Sequence, residues 1–263
     1  MDGRPTPEML RLAIELADEA RAFVRPRFRS RVSICQKPDG TPVTEVDTAL
    51  EARLRDQILA RFPEHGVVGE ESGAQRENAE WIWVLDPIDG TQSFILGKPT
   101  FASLIGLMHR GVPVLGVIEH PALGDRWVGA AGSPTLFNGA PARVRACAGI
   151  ADAALSTTGP NWFSESELAA FDRVRRVAKV QHWGGDCHAF GLLASGFIDL
   201  VIESSHHLHD FCALVPVIEG ASGVMTDWAG HALGVDGGPR VIAAGDRRVH
   251  AEALALLGDG KSW

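Results

Sequence analysis

The strongest constraint on the fold is an apolar run that ends in two closely spaced carboxylates. Residues 81–85 are all apolar, and they are followed by Asp86-Pro87-Ile88-Asp89-Gly90-Thr91. A continuous apolar run bounded by charge is typical of a strand that is buried on both faces. Two carboxylates at the end of such a strand are costly to bury without a cation. The segment therefore predicts a buried strand that delivers two acidic side chains to a cation site.

The residues around the two acids indicate which ligand the site takes. Pro87 restrains its own φ and favours an extended conformation at Asp86, which holds the acids in different directions. Gly90 allows close approach of the backbone, and residues 91–95 can form a short helix whose free N–H groups face an anion. Hard oxygen ligands beside such a helix suit Mg²⁺ and a phosphate ester. The alternative is an ordinary turn in which Asp86 is a cap and Asp89 and Gly90 form a turn dipeptide.

Two further acidic segments favour the metal site over the turn. Upstream, a short apolar run ends on Glu70 and Glu71, and far downstream Asp210 opens a helix-like stretch at residues 211–219. The three segments together resemble the pattern of the inositol monophosphatase superfamily of Mg²⁺-dependent phosphatases. That pattern is a G-E-E block, a D-P-[IL]-D-G-T segment and a late aromatic-Asp pair. The resemblance runs from residue 37 to about residue 228 and implies an α/β (α+β) fold, a layered α-β-α-β-α sandwich.

The resemblance also implies a set of metal ligands and two to three Mg²⁺ ions per site. Glu70, Asp86 and the main-chain carbonyl of Ile88 would hold one ion, and Asp86, Asp89 and Asp210 would hold a second. Glu71 is expected at the surface or behind the ligands. Asp210 alone could equally be a helix N-cap residue, and the two roles are compatible because a cap position projects a carboxylate outward.

By the same resemblance, Glu70, Thr91 and Asp47 are the catalytic residues. Asp47 matches the acid that hydrogen-bonds the threonine hydroxyl, and with Glu70 this pair would orient the attacking water. Gly90 and Thr91 would bind the phosphate. Read alone, Asp47 is an ordinary solvated acid on the predicted helix Glu45–Arg61.

A second informative stretch, residues 184–203, predicts a helix closed at Gly196 and a strand ending on Glu203. In the superfamily this region carries the leaving-group pocket, so Asp186, Glu203 and Gly185 are implied as substrate-binding residues. Inositol-specific members usually have a small residue at the position of Asp186. They more often carry Asn at the position of Ser93.

An added carboxylate favours a substrate with a positive amine, because a carboxylate and an ammonium form a strong charge-assisted hydrogen bond. In the run Gly184-Gly185-Asp186-Cys187 the chain also resembles the histidinol-phosphate phosphatase branch, and this resemblance implies hydrolysis of L-histidinol phosphate. The runner-up substrate is inositol 1-phosphate or another small phosphate ester. A non-catalytic metal- or ligand-binding regulator is the weaker alternative.

One departure concerns the residue before the late Asp, which is His209 rather than Trp or Tyr. His209 stands close to His206 and His207. Such a cluster predicts either a transition-metal site or loop histidines at the rim of the pocket. The rim is the favoured interpretation, with His209 as a substrate-binding residue that tunes the leaving-group pocket.

Composition limits the partners. A net charge of −8 argues against nucleic acid, and no apolar run approaches the ~20 residues needed to span a bilayer. The amino-terminal residues carry no signal-like segment, and the four cysteines lack C-x-x-C spacing. These observations favour a cytoplasmic protein, and the resemblance implies a homodimer.

The element pattern predicts two halves that form one catalytic unit. Residues 1–145 read as two helices beside an antiparallel sheet and carry most metal ligands. Residues 146–263 alternate strands and helices and carry Asp210 and the substrate pocket. The active site is expected between the halves. The loop 37–42 is a candidate lid whose Lys37 can approach the phosphate.

Overall fold

The computed structural model describes residues 3–258 as a sandwich of helices and sheets. Within that range the helices are α1 (Pro7–Val24), α2 (Glu45–Arg61), α3 (Thr91–Ile95), α4 (Glu165–Arg175), α5 (His188–Ala194), α6 (Leu208–Phe211), α7 (Leu214–Gly220) and α8 (Arg247–Leu257). The strands are β1 (Ile34–Gln36), β2 (Pro42–Thr44), β3 (Gly66–Gly69), β4 (Gly73–Gln75), β5 (Trp81–Asp89), β6 (Ala102–His109), β7 (Val112–His120), β8 (Asp125–Ala130), β9 (Leu136–Phe137), β10 (Ala140–Pro141), β11 (Ala154–Thr157), β12 (Val180–Trp183), β13 (Leu200–Glu203), β14 (Val224–Asp227) and β15 (Val241–Ala244).

Two sheets divide the molecule into five layers. The larger sheet has the order β10-β9-β8-β7-β6-β5-β3-β4, and the smaller has the order β12-β11-β13-β15-β14. Helices α1 and α2 cover the outer face of the larger sheet, α5 and α7 lie between the sheets, and α4 and α8 pack together, with α8 against β15 of the smaller sheet. The predicted α-β-α-β-α sandwich is therefore confirmed.

Helix α1 shows how local sequence builds the first layer. Thr6 caps the helix by accepting a hydrogen bond from the N–H of Met9 at 3.2 Å. Pro7 occupies the first turn, where its missing N–H costs no hydrogen bond because first-turn N–H groups have no intrahelical acceptor. Leu12 and Leu16 lie one turn apart on the same face and are buried against the sheet. Burial of each leucine side chain contributes about 2 kcal/mol.

The prediction of an antiparallel first sheet is wrong at one pair of strands. Strand β4 folds back on β3 at the edge of the sheet, and the chain then crosses to the other side of β3, so β5 runs parallel to it. Gly69 pairs with Leu85 in this parallel register. Because the carboxyl ends of parallel strands meet at one edge, Glu70 and Asp86 leave the sheet side by side.

The single helix predicted at residues 211–219 is two short helices, α6 and α7. Pro216 is the third residue of α7. A backbone N–H at this position would have no intrahelical acceptor, so proline breaks no hydrogen bond there. It therefore sits in the first turn of a separate helix and does not kink a longer one. The break lies at Cys212 and Ala213.

A row of three glycines fixes the position of α6 and α7 on the larger sheet. Gly106, Gly116 and Gly129 are direct partners across β6, β7 and β8. A Cβ at Gly116 would lie 1.9 Å from the carbonyl oxygen of Ala213, and one at Gly129 would lie 2.3 Å from that of Pro216. The helix backbone therefore rests directly on the sheet, which is possible only without side chains at these positions.

The strands of the larger sheet come from residues 66–141 and those of the smaller sheet from residues 154–244. Helix α7 belongs to the second half in sequence but packs against β7 and β8 of the first. The division into 1–145 and 146–263 stays a prediction. Among residues 3–258, no helix combines the length and the hydropathy that crossing a membrane requires.

Candidate active site

The strands of both sheets end around one cavity of about 590 Å³. Its walls come from the carboxyl ends of β5 and β13, the residues that follow β3, β11 and β12, helices α3 and α6, and the loop between β1 and β2. Most of the residues predicted for the site line this cavity, namely Glu70, Asp86, Ile88, Asp89, Gly90, Thr91, Asp186, Glu203, His209 and Asp210. Asp47 and Gly185 are the two that do not.

Two groups of possible metal ligands share one residue, Asp86. One ligand atom each from Glu70, Asp86 and His209 lie within 4.8 Å of one another, and so do atoms of Asp86, Asp89 and Asp210. Asp86 is 2% exposed, and its buried Oδ1 has no hydrogen-bond partner within residues 3–258. An unpartnered buried carboxylate oxygen is destabilising, and a divalent cation would satisfy it. The donor set therefore fits the predicted metal centre.

Electrostatics lead to the same conclusion. Burial, followed by the charges of Glu70 and Asp89, raises the pKa of Asp86 well above its usual range. Burial and the charge of Asp210 raise the pKa of Asp89, and burial raises that of Asp210. Carboxylates that repel one another in a buried site favour protons or cations, and a bound divalent ion would restore their ionised forms.

An irregularity in β5 points both acids of the central segment into the same cluster. Asp86 pairs with Leu104 of β6 and Asp89 with Ala102, so an advance of three residues along β5 corresponds to two residues along β6. In a regular strand, residues three apart face opposite sides, and the extra residue of a bulge reverses this. The strand predicted to stop at residue 85 therefore continues to Asp89.

Backbone groups hold two of the acids in place. The N–H of Cys187 donates to Asp89 Oδ2 at 3.1 Å, and the N–H of His207 donates to Asp210 Oδ2 at 2.5 Å. The prediction that Asp210 is an N-cap residue is wrong, because the cap is His207 and Asp210 is the third residue of α6. As the closing acid of a capping box, Asp210 still presents its other oxygen to the cluster.

Thr91 and Asp47 form the predicted pair. Thr91 Oγ1 lies 3.2 Å from Asp47 Oδ1 and 3.0 Å from the carbonyl oxygen of Ile88, and it can donate to either. Asp47 is fully buried and also caps α2, accepting the N–H of Thr44 at 2.9 Å. The interpretation of Asp47 as a solvated acid is therefore wrong. Burial raises its pKa, against the hydrogen bonds from Thr44.

Lys37 contacts the acids themselves. Its Nζ lies 2.5 Å from Glu70 Oε1 and 2.8 Å from Glu71 Oε1. Against the effect of burial, the hydrogen bonds to these carboxylates raise the pKa of Lys37. The Glu71 side chain is only 6% exposed. Burial raises the pKa of Glu71 to about 7, although the hydrogen bond from Lys37 opposes the change.

Glu51 is a positioning residue that the sequence pattern did not reveal. Its buried carboxylate accepts the N–H of Glu71 at 2.8 Å and of Ser72 at 2.9 Å, and so fixes the loop that carries Glu70. A Cβ at Gly69 would lie 2.3 Å from Glu51 Cδ, so the approach requires glycine. The available signal was an acid on the apolar stripe of α2, where a surface charge is not expected.

Asp186 is held in an unusual backbone conformation by two hydroxyl groups. Its φ is +44°, in the left-handed region that Asp tolerates better than most residues. Its Oδ2 accepts hydrogen bonds from Ser93 Oγ at 2.6 Å and Thr100 Oγ1 at 2.5 Å. Both donors use the same oxygen, which leaves Oδ1 for a ligand in the cavity. Thr100 was not among the predicted residues.

Glu203 is buried at the end of β13 and is held from the end of β11. Its carboxylate accepts the N–H of Thr158 at 2.6 Å, the hydroxyl of Thr158 at 3.0 Å and that of Thr157 at 3.1 Å. Burial raises the pKa of Glu203 to about 8, against these hydrogen bonds. The threonines could have been found from sequence, since neighbouring parallel strands end at the same edge.

Gly185 has a packing position instead of the predicted place in the pocket wall. It is buried, and a Cβ there would lie 2.8 Å from both Ala189 Cβ and Ser156 Oγ. The absence of a side chain therefore lets α5 approach the smaller sheet. Its neighbour Gly184 lines the cavity.

The three histidines near Asp210 have three different environments. His207 is exposed, as expected at a rim. Burial lowers the pKa of His206 to about 3, so its imidazole is neutral inside the protein. Burial also lowers the pKa of His209, whose ring lies beside Glu70 and Asp86. All three line the cavity, with His207 the most exposed, and their place at its rim stays a prediction.

Comparison with known proteins gives consistent matches along the whole chain. The family model described as the inositol monophosphatase family matches residues 6–260. The chain is 45% identical to the bifunctional phosphatase IMPL2, chloroplastic, of Arabidopsis thaliana, over 92% of this chain and 72% of that protein. It is 34% identical to a histidinol-phosphatase of Chlorobaculum parvum, over 97% of this chain and 98% of the other. A solved inositol monophosphatase from Zymomonas mobilis superposes with a TM-score of 0.88 at 42% identity, covering 95% of this chain and 97% of that one.

Proposed function

The chain belongs to the inositol monophosphatase family, and from this we propose that it is a Mg²⁺-dependent phosphomonoesterase that hydrolyses L-histidinol phosphate to L-histidinol and phosphate, a step of histidine biosynthesis. The observation that carries the catalytic part is the shared position of Asp86. It belongs to both ligand groups, and its Oδ1 has no partner among the described residues. Two cations that both took Asp86 as a ligand would suit the in-line displacement of a phosphate ester.

Each residue of the centre has a distinct part in this proposal. Glu70, Asp86 and the carbonyl oxygen of Ile88 would hold one cation, and Asp86 with Asp89 and Asp210 would hold the other. When bound, the ions would neutralise the charge of the phosphate and favour ionisation of a water molecule. Gly90 and the first turn of α3 would bind phosphate oxygens through free N–H groups.

Thr91 and Asp47 would orient the attacking water. If the Thr91 hydroxyl donates a hydrogen bond to Asp47 Oδ1, its oxygen can accept a hydrogen bond from the water. Glu70 would hold the same water from the other side. The water oxygen bonds to phosphorus as the ester P–O bond breaks; one proton of the water stays on the phosphate and the other ends on the oxygen of histidinol. No protein nucleophile is required.

Asp186 supports the choice of an amine substrate. The hydroxyls of Ser93 and Thr100 fix one carboxylate oxygen, so the other is oriented towards the cavity before a ligand arrives. An ammonium group on the substrate would complete a charge-assisted hydrogen bond there. Glu203 would accept a second polar group of the leaving alcohol.

Inositol 1-phosphate is the second candidate substrate. Ser204 and Ser205 line the same cavity beside Thr158 and Glu203, and hydroxyl-rich walls also suit a polyol. The similarity to a solved inositol monophosphatase at 42% identity favours the same candidate. A non-catalytic regulator is disfavoured, because a protein that only binds has no use for the contact between Thr91 and Asp47.

The deciding experiment compares phosphate release from histidinol phosphate, inositol 1-phosphate and fructose 1,6-bisphosphate, each with MgCl₂ and with EDTA. We expect the highest kcat/KM on histidinol phosphate and no release in EDTA. A clearly higher kcat/KM on inositol 1-phosphate would refute the substrate proposal. Failure to release phosphate from any ester in MgCl₂ would refute the phosphatase proposal.

Asp186→Asn gives a matched variant, because the amide keeps the size of the side chain and removes its charge. We expect KM for histidinol phosphate to rise about tenfold or more, with a smaller change for inositol 1-phosphate. Cytoplasmic location and a homodimeric state also remain proposals. Light scattering of the purified protein tests the dimer, and cell fractionation tests the location.

A further inference from the structure

The two groups of possible metal ligands offer different atoms, because one of them includes His209. The group of Asp86, Asp89 and Asp210 offers oxygen atoms alone, whereas the group of Glu70, Asp86 and His209 includes an imidazole nitrogen. His209 and Asp210 are consecutive residues of α6, so one short helix supplies one ligand atom to each group.

The position of the imidazole is built into the fold. The capping box of α6 ties His207 to Asp210 on either side of His209. The chain immediately after α6 rests on Gly106 and Gly116. The side chain of His209 is 18% exposed, and its Nε2 lies 3.5 Å from Asp210 Oδ1. The ring therefore has little freedom to turn away from the acids.

An independent observation points to a ligand at this place. Asp86 Oδ1 is buried and has no hydrogen-bond partner among residues 3–258. Glu70 Oε1 is in contact with the Lys37 ammonium at 2.5 Å, so a positive group already lies against this carboxylate. A cation held by Glu70 and Asp86 would replace Lys37 at Glu70 and leave the lysine on Glu71, 2.8 Å away.

We propose that His209 is a nitrogen ligand of the cation held by Glu70 and Asp86, and that this position therefore selects Mn²⁺ or Zn²⁺ over Mg²⁺. Imidazole suits transition cations, whereas Mg²⁺ prefers oxygen ligands. The neighbouring group, which has oxygen ligands alone, keeps a preference for Mg²⁺. The centre would then hold two cations of different kinds. This inference rests on the metal centre of the proposed function.

Electron paramagnetic resonance of Mn²⁺ added to metal-stripped protein tests the assignment directly. We expect a modulation from a ¹⁴N nucleus bound to Mn²⁺, which changes to the ¹⁵N pattern in protein labelled with ¹⁵N-histidine. In His209→Phe the nitrogen signal should disappear. The matched control is His182→Phe, which removes an exposed ring outside the cavity and should retain the signal.

Titration calorimetry on the same proteins measures selectivity. We expect His209→Phe to weaken Mn²⁺ binding about 10- to 100-fold and to change Mg²⁺ binding much less. His209→Gln, a polar substitution, should show the same loss and guards against a folding defect of the phenylalanine variant.

A wild-type spectrum without nitrogen coupling, coupling that persists in His209→Phe, or no Mn²⁺ binding at all would overturn the assignment. These measurements contain no substrate. Lack of phosphate release would refute the proposed function and leave the nitrogen coupling untouched.

Discussion

Ser93 and Asp186 lie 93 positions apart in the chain and are joined by a hydrogen bond of 2.6 Å. Both are positions at which the sequence resemblance predicts a departure from inositol-specific relatives. The contact makes a single structural unit of the two departures, because the hydroxyl at residue 93 holds the carboxylate at residue 186. Thr100, in the segment between α3 and β6, completes this unit with a second hydrogen bond to Asp186.

Ser93→Ala and Thr100→Val each remove one donor to Asp186. We expect each substitution to raise KM for histidinol phosphate about tenfold, because a hydrogen bond to a charged group contributes roughly 1.5–3 kcal/mol. The value of kcat should change less. Steady-state kinetics on histidinol phosphate and inositol 1-phosphate provide the measurement. Ser195→Ala removes a hydroxyl that accepts the indole N–H of Trp127, outside the site, and should leave KM unchanged.

Asp86→Asn should abolish Mg²⁺-dependent phosphate release, with a fall of about 10³-fold or more. Without metal, the variant should be at least as stable as the wild type, because the amide cannot ionise next to the other buried acids. Mg²⁺ should then no longer raise its melting temperature. Asp199→Asn is the control, since Asp199 is also buried but is paired with Arg145 away from the cavity. Near wild-type turnover by Asp86→Asn would contradict the two-metal proposal.

Gly116→Ala should destabilise the protein strongly. The new methyl group would meet the carbonyl oxygen of Ala213, so either α7 or β7 must shift. We expect a loss of about 3 kcal/mol, or roughly 6–12 °C in Tm, together with weaker Mg²⁺ binding through displacement of Asp210. Gly159→Ala is the matched control for thermal unfolding, because its new methyl group would meet no described neighbour within 4 Å. Equal Tm values for the two variants would show that the close contact carries no energy.

Glu203 should make stability fall as pH rises. Burial raises its pKa from 4.5 to about 8 in the folded protein. Below about pH 4.5 the group is protonated in both states, and between that pH and about 8 only the unfolded state loses the proton. The unfolding free energy therefore decreases across this window. In EDTA, the Tm of Glu203→Gln minus that of the wild type should increase from pH 5 to pH 8. A constant difference would mean that Glu203 is ionised in the folded state.

Most of the residues that were predicted at the metal centre lie at the ends of buried strands, where the local sequence pattern is most informative. An apolar run that ends on acids predicts where a strand leaves the core, and Glu70, Asp86 and Asp89 all follow this rule. The structure brings them together with Asp210, as the resemblance implies. The layered fold was predictable for a similar reason, because its buried strands and amphipathic helices have distinct periods.

Contacts that depend on the register between strands could not be predicted from the sequence. The strand before Asp86 is apolar on both faces, so no alternation reveals which way a side chain points or where an extra residue enters. The bulge between Asp86 and Asp89 and the parallel pairing of β3 and β5 were missed for this reason. Glu51 and Thr100 act on residues far away in the chain, and their partners are known only once the strands are paired.

The glycine row also determines when the catalytic centre can be assembled during synthesis. A nascent chain that has emerged only to residue 145 already contains Glu70, Asp86 and Asp89, as well as the strands that carry Gly106, Gly116 and Gly129. It lacks α6 and α7, so the surface of the glycine row stays uncovered. Asp210 reaches the other acids only after these two helices have packed against the glycine row. Completion of the centre is therefore a late event that reports on the assembly of the whole molecule.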